Sequence, residues 1–286
     1  MIYEYWLAGI KEITDLKKQK LREVYGSGKA IYYIEETKLD KLRFLNEKDV
    51  AILKNAKKDT ELEEKWRRTE EKRIQFIPYF LKTYPEKLKY ITDPPYALYV
   101  LGQLPDEKRK SAAIVGARNC TAYGEQMALQ YGKSLAEAGI QIISGMARGI
   151  DGAGQRGALN SSWAKESGVT YAVLGCGVDV CYPRENIGLY MDIQEKGGIV
   201  SEFSPGTAVC VEFSKKKSNH QCAGGLDTYY GSKRKERIID YCGSCIGAGK
   251  GCICSSGTGK QCVKSGVSQT DQAGSGDIDY PGRIDG

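Results

Sequence analysis

Two stretches decide the fold: residues 111–124, SAAIVGARNCTAYG, and residues 142–151, IISGMARGID. Each has a short apolar run that ends at a glycine, with an arginine close behind it. Two further apolar runs, VTYAVLGCG and GIVSEF, follow along the chain, and helical stretches separate all four runs. Apolar strands that alternate with helices in this way predict a parallel sheet with right-handed crossovers.

The loops after the first two runs are candidate phosphate-binding turns. In parallel sheets, ligands bind beyond the carboxyl ends of the strands, where helix N-termini offer backbone N–H groups to anions. Glycine permits the tight turn, and an arginine guanidinium matches the geometry of phosphate. The residues predicted to bind phosphate are Gly116, Ala117, Arg118, Ser144, Gly145, Arg148 and Gly149. We expect Asp151 to cap the helix that follows the second loop.

Composition limits the class of protein. The chain has 286 residues and a formal net charge of +6, which permits a polyanionic partner without demanding one. It contains no apolar run of about eighteen residues, the length that a membrane span requires. Its first residues, MIYEYWLAGIKEITDLKKQK, are too charged for a signal peptide. We therefore expect a cytoplasmic protein.

The chain divides into three predicted sections. Residues 1–75 are predicted to form a small helical domain and residues 76–206 an α/β domain, with residues 207–286 as a tail of different composition. Three of the ten cysteines precede the tail and seven lie in it. The pairs Cys242-x-x-Cys245 and Cys252-x-Cys254 suggest zinc, but they stand too close together for a common zinc ribbon, so we expect no metal.

Short helices are indicated in the first section. Apolar positions spaced by three and four occur in DLKKQKLREVY (residues 15–25) and DKLRFL (residues 40–45). The charged residues 57–73 are typical of a solvated helix. The Tyr-Gly-Ser-Gly turn at residues 25–28 is compatible with a module of the SAM or helix-hairpin-helix type, and equally with a helical domain that only packs.

The motifs of the second section carry a family resemblance. AIVGARNCTAYG and AGIQIISGMARGIDGAGQRGAL are followed by YAVLGCGVDVCYPREN and GGIVSEFSPGT. This series, within residues 75–207, resembles the DNA-processing protein A family, also called DprA or Smf. The resemblance implies an extended, Rossmann-like, doubly wound and mainly parallel sheet.

The resemblance also implies a function. It indicates an accessory protein that binds single-stranded DNA, protects incoming DNA and helps a RecA-type recombinase onto it in natural transformation and recombination. It implies no enzymatic activity and no cofactor. Family members form homodimers, but the family's dimer surface lies largely beyond residue 206, which puts a homodimer of this chain in question.

An enzymatic alternative is a nucleotide-binding protein of the lysine-decarboxylase-like phosphoribohydrolase group. That group has a Pro-Gly-Gly-x-Gly-Thr turn with a glutamate close behind it, and this sequence does not contain that motif. The chain departs from the DNA-processing protein A family that it resembles at Gln155, where that family usually has histidine. Glutamine can keep a hydrogen bond but cannot titrate.

The resemblance stops after Gly206, where AVCVEFSKKKSNHQCAGGL replaces the family's asparagine-phenylalanine-proline segment. When residues 211–226 are written as degenerate codons and read one base later, the permitted residues include W-N-F-P-[KR]-[KR]-N-R-I-I-S-A-L. The same shift over residues 235–257 permits a sequence that ends in G-K-D-V-Y-A-V-P-G. We hypothesise a frameshift near Gly206 or Thr207, as a lesion or a sequencing error. We expect the tail as written to be disordered, because it has few apolar residues.

Overall fold

The computed structural model describes residues 1–165, 168–208, 251–255 and 261–265, the last two ranges as backbone strands. Six helices precede the first strand, and they are α1 (Ile2–Gly9), α2 (Asp15–Tyr25), α3 (Gly28–Tyr33), α4 (Glu36–Leu39), α5 (Glu47–Ala56) and α6 (Leu62–Glu71). The predicted helical section therefore consists of short helices joined by turns and loops. The division of the chain into three domains stays a prediction.

An eight-stranded sheet follows. Its strands are β1 (Gln75–Pro78), β2 (Ala97–Gly102), β3 (Ser111–Gly116), β4 (Gln141–Ser144), β5 (Thr170–Val173), β6 (Gly198–Ser201), β7 (Gly251–Ser255) and β8 (Gln261–Ser265). The helices between the parallel strands are α7 (Ala122–Glu137), α8 (Ile150–Leu159) and α9 (Ile187–Lys196). Short 3-10 helices occur at Glu86–Tyr90, Ser162–Lys165 and Arg184–Asn186.

The strand order is β1-β2-β6-β5-β4-β3-β7-β8. The five strands from β6 to β7 are parallel to one another, and antiparallel pairs stand at both ends of the sheet. The chain runs from β3 to β6 in one direction across the sheet, and β7 then pairs with the free side of β3. This reversal of direction is typical of doubly wound sheets, so the predicted Rossmann-like fold is confirmed.

The two faces of the sheet build different cores. On β2, Leu98 and Val100 belong to one cluster of buried side chains, whereas Tyr99 and Leu101 belong to the other. The amino-terminal helices and α9 pack on the face that carries Tyr99. On the same face, α7 and α8 cover β3 and β4. All three crossover helices therefore lie on one side of the sheet, as successive right-handed crossovers in one direction require.

The amino-terminal helices share their core with the sheet. The Tyr5 ring on α1 makes edge-to-face contacts with Trp66 on α6, Phe76 on β1 and Tyr99 on β2, at centroid distances of 5.3, 5.6 and 5.9 Å. Buried aromatic pairs of this geometry add to the stabilisation that their apolar area gives. The helical layer and the sheet are thus joined by one aromatic cluster.

Helix α8 packs closely against helix α7 and strand β3. A Cβ atom on Gly132 of α7 would lie 2.0 Å from the carbonyl oxygen of Gly154 on α8. A Cβ atom on Gly154 would lie 2.5 Å from the Ile114 side chain of β3. Since both distances are shorter than van der Waals contact, only glycine permits this packing of sheet and helices.

The start of α5 is fixed by a capping box. The Asn46 side chain accepts a hydrogen bond from the Asp49 backbone N–H at 2.8 Å, and Asp49 accepts one from the Asn46 backbone N–H at 2.9 Å. Lys17 Nζ on α2 donates to the same carboxylate at 2.6 Å. Burial alone would raise the pKa of Asp49, but the hydrogen bonds from Lys17 and Asn46 outweigh it and hold that pKa below its ordinary value.

One sequence expectation for the helical layer was wrong. The predicted helix DKLRFL at residues 40–45 consists of turns that follow α4. Leu42 N–H donates to Leu39 O at 3.1 Å, and Leu45 N–H donates to Leu42 O at 3.0 Å. Two successive turns bring every third side chain to one side, so Leu39 is buried and Leu42 and Leu45 are partly buried, as the spacing in a helix would also allow. The apolar spacing alone does not distinguish the two conformations.

The predicted disordered tail lies mainly outside the described residues. Two stretches within it, β7 and β8, form strands: β7 pairs with β3 from Ala113 opposite Cys252 to Gly116 opposite Ser255, and β8 pairs with β7. Over these ten residues the structure differs from the expectation of disorder. No helix in the part of the chain that the structure describes is long and apolar enough to cross a membrane.

The packing of α8 predicts opposite effects for two glycine substitutions. Gly132→Ala should lower the free energy of unfolding by about 1–3 kcal/mol or more, because the new methyl group meets the backbone of α8. Gly188→Ala on α9, where the nearest heavy atom to an added Cβ is 3.9 Å away, should raise it by up to about 1 kcal/mol through helix propensity. Urea unfolding of both variants checks this, and equal effects would contradict the close packing.

The capping box predicts a pH-dependent effect. Asp49→Ala should lower the free energy of unfolding by about 1–3 kcal/mol at neutral pH, through the lost cap and the lost hydrogen bond to a cation. Because the folded-state pKa is depressed, this contribution is fully present above the unfolded pKa of about 3.9 and is lost as the pH falls through the lower folded-state pKa. Asp40→Ala, which removes an exposed partner of Lys54 at 3.6 Å, is the control and should change stability by less than about 1 kcal/mol. Denaturant titrations at neutral pH and near pH ~3 check it, and a pH-independent difference would contradict it.

Candidate functional site

The four strands β3 to β6 end at the same edge of the sheet, at Gly116, Ser144, Val173 and Ser201. The reversal of strand order occurs at β3, which has β4 on one side and β7 on the other. In open parallel sheets, the crevice at such a reversal is where ligands bind. The first predicted phosphate loop follows β3 and therefore lies at this position, and the second follows the neighbouring strand.

The structure brings the two loops into backbone contact. Gly149, the residue before α8, has a φ of +71°, and a Cβ atom there would lie 2.3 Å from Ala117 O and 2.7 Å from Arg118 O. The Ile150 backbone N–H donates to Ala117 O at 3.3 Å. Two separate constraints thus require glycine at position 149. One is its positive φ, and the other is the close approach of the first loop. The predicted glycine position has a clear physical reason.

Asp151 also joins the two loops. Its carboxylate Oδ1 accepts a hydrogen bond from the Gly116 backbone N–H at 3.0 Å, and the side chain is buried. The sequence predicted this residue as the cap of its own helix, but α8 begins after Gly149 without a side-chain cap. The carboxylate holds the end of β3 instead, so it positions the first loop relative to the second.

Several of the predicted residues are engaged within the protein. The Ser144 hydroxyl is fully buried and donates to Ile114 O at 2.5 Å, and Gly145 is buried. The Gly116 N–H is bonded to Asp151. These three residues shape the loops. The two arginines face solvent, and Gly116, Ala117 and Gly149 are partly accessible.

The two arginines differ in their surroundings. Arg118 is exposed, and within residues 1–165 and 168–208 it has no ion-pair partner. Arg148 is also exposed, but its Nη2 donates to Glu185 Oε2 at 2.7 Å and its Nε contacts Glu185 Oε1. The hydrogen bonds and charge of Glu185 raise the pKa of the Arg148 guanidinium. One guanidinium is open to an anion, and the other already binds a carboxylate.

The second loop has a constrained backbone. Met146 has a φ of +54°, which is uncommon for a residue with a side chain, and that side chain is fully buried. Asn186 Nδ2 donates to Met146 O at 3.0 Å and lies 3.4 Å from Ala147 O. The side-chain amide of Asn186 therefore fixes the second loop against the segment that precedes α9.

The residue that departs from the family pattern is buried in α8. Gln155 Nε2 donates to Tyr171 O at 2.9 Å, so the expected hydrogen bond is kept. Its Oε1 has no hydrogen-bond partner among the residues that the structure describes. This side chain lies inside the protein and makes no contribution at the solvent edge.

Sequence reasoning missed the link between the helical layer and this edge. Lys72, directly after α6, bonds to the Asp179 carboxylate at 2.6 Å, and Asp179 Oδ1 accepts from the Gly206 backbone N–H at 2.7 Å. A cleft of about 840 Å³ lies beside this link, between α1, α6 and the loop after β6. The residues are more than a hundred positions apart, so no local pattern could have revealed the pairing.

Metal ligands are not grouped at this edge. Over the described ranges, no cluster of three or more histidine, cysteine, aspartate or glutamate side chains is placed to hold a metal ion. The groups that this edge offers to a ligand are the guanidinium cations of Arg118 and Arg148 and the backbone of the two loops.

The comparison with known families agrees with this geometry. The sequence profile of the DNA recombination-mediator protein A family matches residues 75–219, about half of the chain, and includes both loops. The chain belongs to this family. The family resemblance inferred from the motifs is therefore confirmed.

Curated relatives within the DNA recombination-mediator protein A family carry the names Smf and DprA. Protein Smf of Borreliella burgdorferi is 36% identical over 138 residues, which cover 48% of this chain and 42% of that protein. Protein Smf of Escherichia coli is 40% identical over 128 residues, 44% of this chain and 33% of that protein. The chain thus matches less than half the length of these relatives.

A solved member of the DNA recombination-mediator protein A family shares the fold. DNA processing protein A from Streptococcus pneumoniae superposes with a TM-score of 0.60 at 24% identity. The alignment covers 85% of this chain and 75% of that one. The likeness extends beyond the residues that the sequence profile matches, so it includes part of the helical layer.

Proposed function

We propose that this chain binds single-stranded DNA along the carboxyl edge of β3 and β4. It acts without catalysis, as a cytoplasmic accessory protein of recombination and natural transformation that protects the DNA and helps load a RecA-type recombinase. The observation that carries the proposal is Arg118, an exposed guanidinium on the loop at the reversal of strand order, with no ion-pair partner in the described part of the chain. Membership of a family of recombination mediators supports it.

The loop geometry favours a polymeric anion. Arg118 and Arg148 lie on loops whose backbones touch at Gly149, so successive phosphates of one strand can reach both. Arginines on a groove edge bind the backbone of a nucleic acid and leave most bases unread. Of the seven predicted residues, the arginines, Ala117 and Gly149 are proposed as contacts. Gly116, Ser144 and Gly145 are proposed as the residues that order the loops.

The frameshift hypothesis accounts for the short match to the curated relatives. The shifted reading permits the sequence Asp-Val-Tyr-Ala-Val for β7, a mainly apolar strand of the kind that a central parallel position requires. The written sequence, Gly-Cys-Ile-Cys-Ser, occupies the same place beside β3 with less apolar bulk. We propose that the family's remaining DNA contacts and dimer surface are encoded in the shifted frame.

Removal of the Arg118 guanidinium tests the site. Arg118→Ala should weaken binding to fluorescein-labelled oligo-dT by about 1–3 kcal/mol, because a charged hydrogen bond is lost. It should also reduce the slope of log affinity against log salt concentration by about 0.7, the value for one phosphate contact on a single strand. Fluorescence anisotropy over a range of salt concentrations measures both quantities. Arg43→Ala, which removes an exposed arginine of the helical layer, is the matched control, and an equal loss in both variants would count against the site.

Restoration of the reading frame tests the tail hypothesis. A protein with the frame shifted after Gly206 should bind oligo-dT more tightly, and with a steeper salt dependence, than the chain as written, because it regains basic and aromatic contacts. Sequencing of the gene across this junction decides whether the shift is real. Equal binding by the two proteins would remove the functional argument for the shift, and failure of both to bind would overturn the DNA assignment.

A further inference from the structure

The second loop contains a carboxylate that faces its own arginine. Glu185 lies on the 3-10 helix Arg184–Asn186, and both of its oxygens contact the Arg148 guanidinium, one of them at 2.7 Å from Nη2. Two parallel contacts of this kind are the geometry in which a guanidinium also binds phosphate. Glu185 therefore occupies the surface of Arg148 that a nucleic-acid phosphate would use.

Backbone contacts keep the two side chains opposite each other. Asn186, the residue after Glu185, donates its side-chain amide to Met146 O at 3.0 Å, two residues before Arg148. Met146 is itself anchored, since its side chain is fully buried in the core. The 3-10 helix and the loop are thus joined next to the ion pair, and the pairing follows from the fold rather than from free rotation of two long side chains.

The Arg148–Glu185 ion pair competes with phosphate for the guanidinium, yet phosphate can displace the carboxylate. The side chains of Arg148 and Glu185 are 59% and 52% exposed, so solvent screens their attraction, and such pairs contribute little to stability. A phosphate that approaches Arg148 must displace the carboxylate and then lie beside its negative charge. Arg118 on the neighbouring loop imposes no such competition.

We infer that Glu185 is a built-in competitor for the phosphate at Arg148, and that it limits the affinity of this edge for single-stranded DNA and the steepness of its salt dependence. The inference rests on the proposed function. In this arrangement Arg118 provides the permanent contact, and Arg148 provides a second contact that only a well-placed phosphate can gain. A ligand that reaches only one loop is therefore held less tightly than a strand that reaches both.

Glu185→Gln tests the competition. Glutamine keeps the length of the side chain and removes its charge, so Arg148 becomes available to phosphate. If one additional phosphate contact forms, the slope of log affinity against log salt should steepen by about 0.7, and affinity for oligo-dT near 0.1 M salt should rise about fivefold. Fluorescence anisotropy measures both effects, and the thermal unfolding midpoint of each variant verifies that it is folded.

Two further variants separate this mechanism from a general change of charge. Glu185→Gln should give no gain when it is combined with Arg148→Ala, because the guanidinium that it releases is absent. Asp192→Asn breaks the Arg156–Asp192 ion pair between α8 and α9 with the same change of charge, and it should alter affinity by less than about twofold. Both results together support the competition at Arg148.

The outcomes that overturn the inference are distinct from those that overturn the proposed function. A gain from Glu185→Gln that persists with Arg148→Ala, or that Asp192→Asn reproduces, would show a general electrostatic effect and overturn the inference alone. The absence of any gain, in a wild-type protein that binds oligo-dT, would also overturn it alone. Failure of the wild-type chain and of Glu185→Gln to bind oligo-dT would overturn both.

Discussion

The closeness of α8 to its neighbours is the constraint on which this edge depends. Gly154 lets the helix lie against Ile114 of β3, and Gly132 lets α7 lie against α8. Because α8 is held so near to β3, its first residues reach the loop that follows that strand. A helix with ordinary side chains at these positions would stand farther away, and Asp151 would no longer meet the Gly116 N–H.

The two loops consequently behave as one unit with two unequal cations. The backbone of Gly149 contacts the first loop, and the Asp151 carboxylate accepts a hydrogen bond from Gly116 at the start of that loop. The hydrogen bonds from Ile150 to Ala117 and from Gly116 to Asp151 serve this mutual support. Binding of an anion then depends on the exposed guanidinium groups, of which Arg118 is open and Arg148 has Glu185 as a partner.

The sequence predicted the parts of this arrangement that burial controls. The apolar runs at β3 to β6 and the helices between them follow from periodicity, and the loop glycines follow from the need for tight turns. The pairing of Arg148 with Glu185 could not be predicted, because it depends on how two loops from different strands meet in space. The role of Asp151 was misjudged for the same reason, since a carboxylate near a helix start is compatible with a cap or with a contact to another segment. Residues 40–45 show what apolar periodicity cannot decide, because successive turns and a helix place apolar side chains at the same spacing.

The aromatic cluster around Tyr5 makes the folding of the helical layer and the sheet mutually dependent. Tyr5 and Tyr99 are each almost fully buried, and each is covered by the other's layer. A fragment that began at the first strand would expose Tyr99 and Leu101 to water. The face of β2 that carries them would then be an apolar surface that favours aggregation. The helical layer is therefore needed to cover this apolar face of the sheet. Only another element of matching shape could replace it.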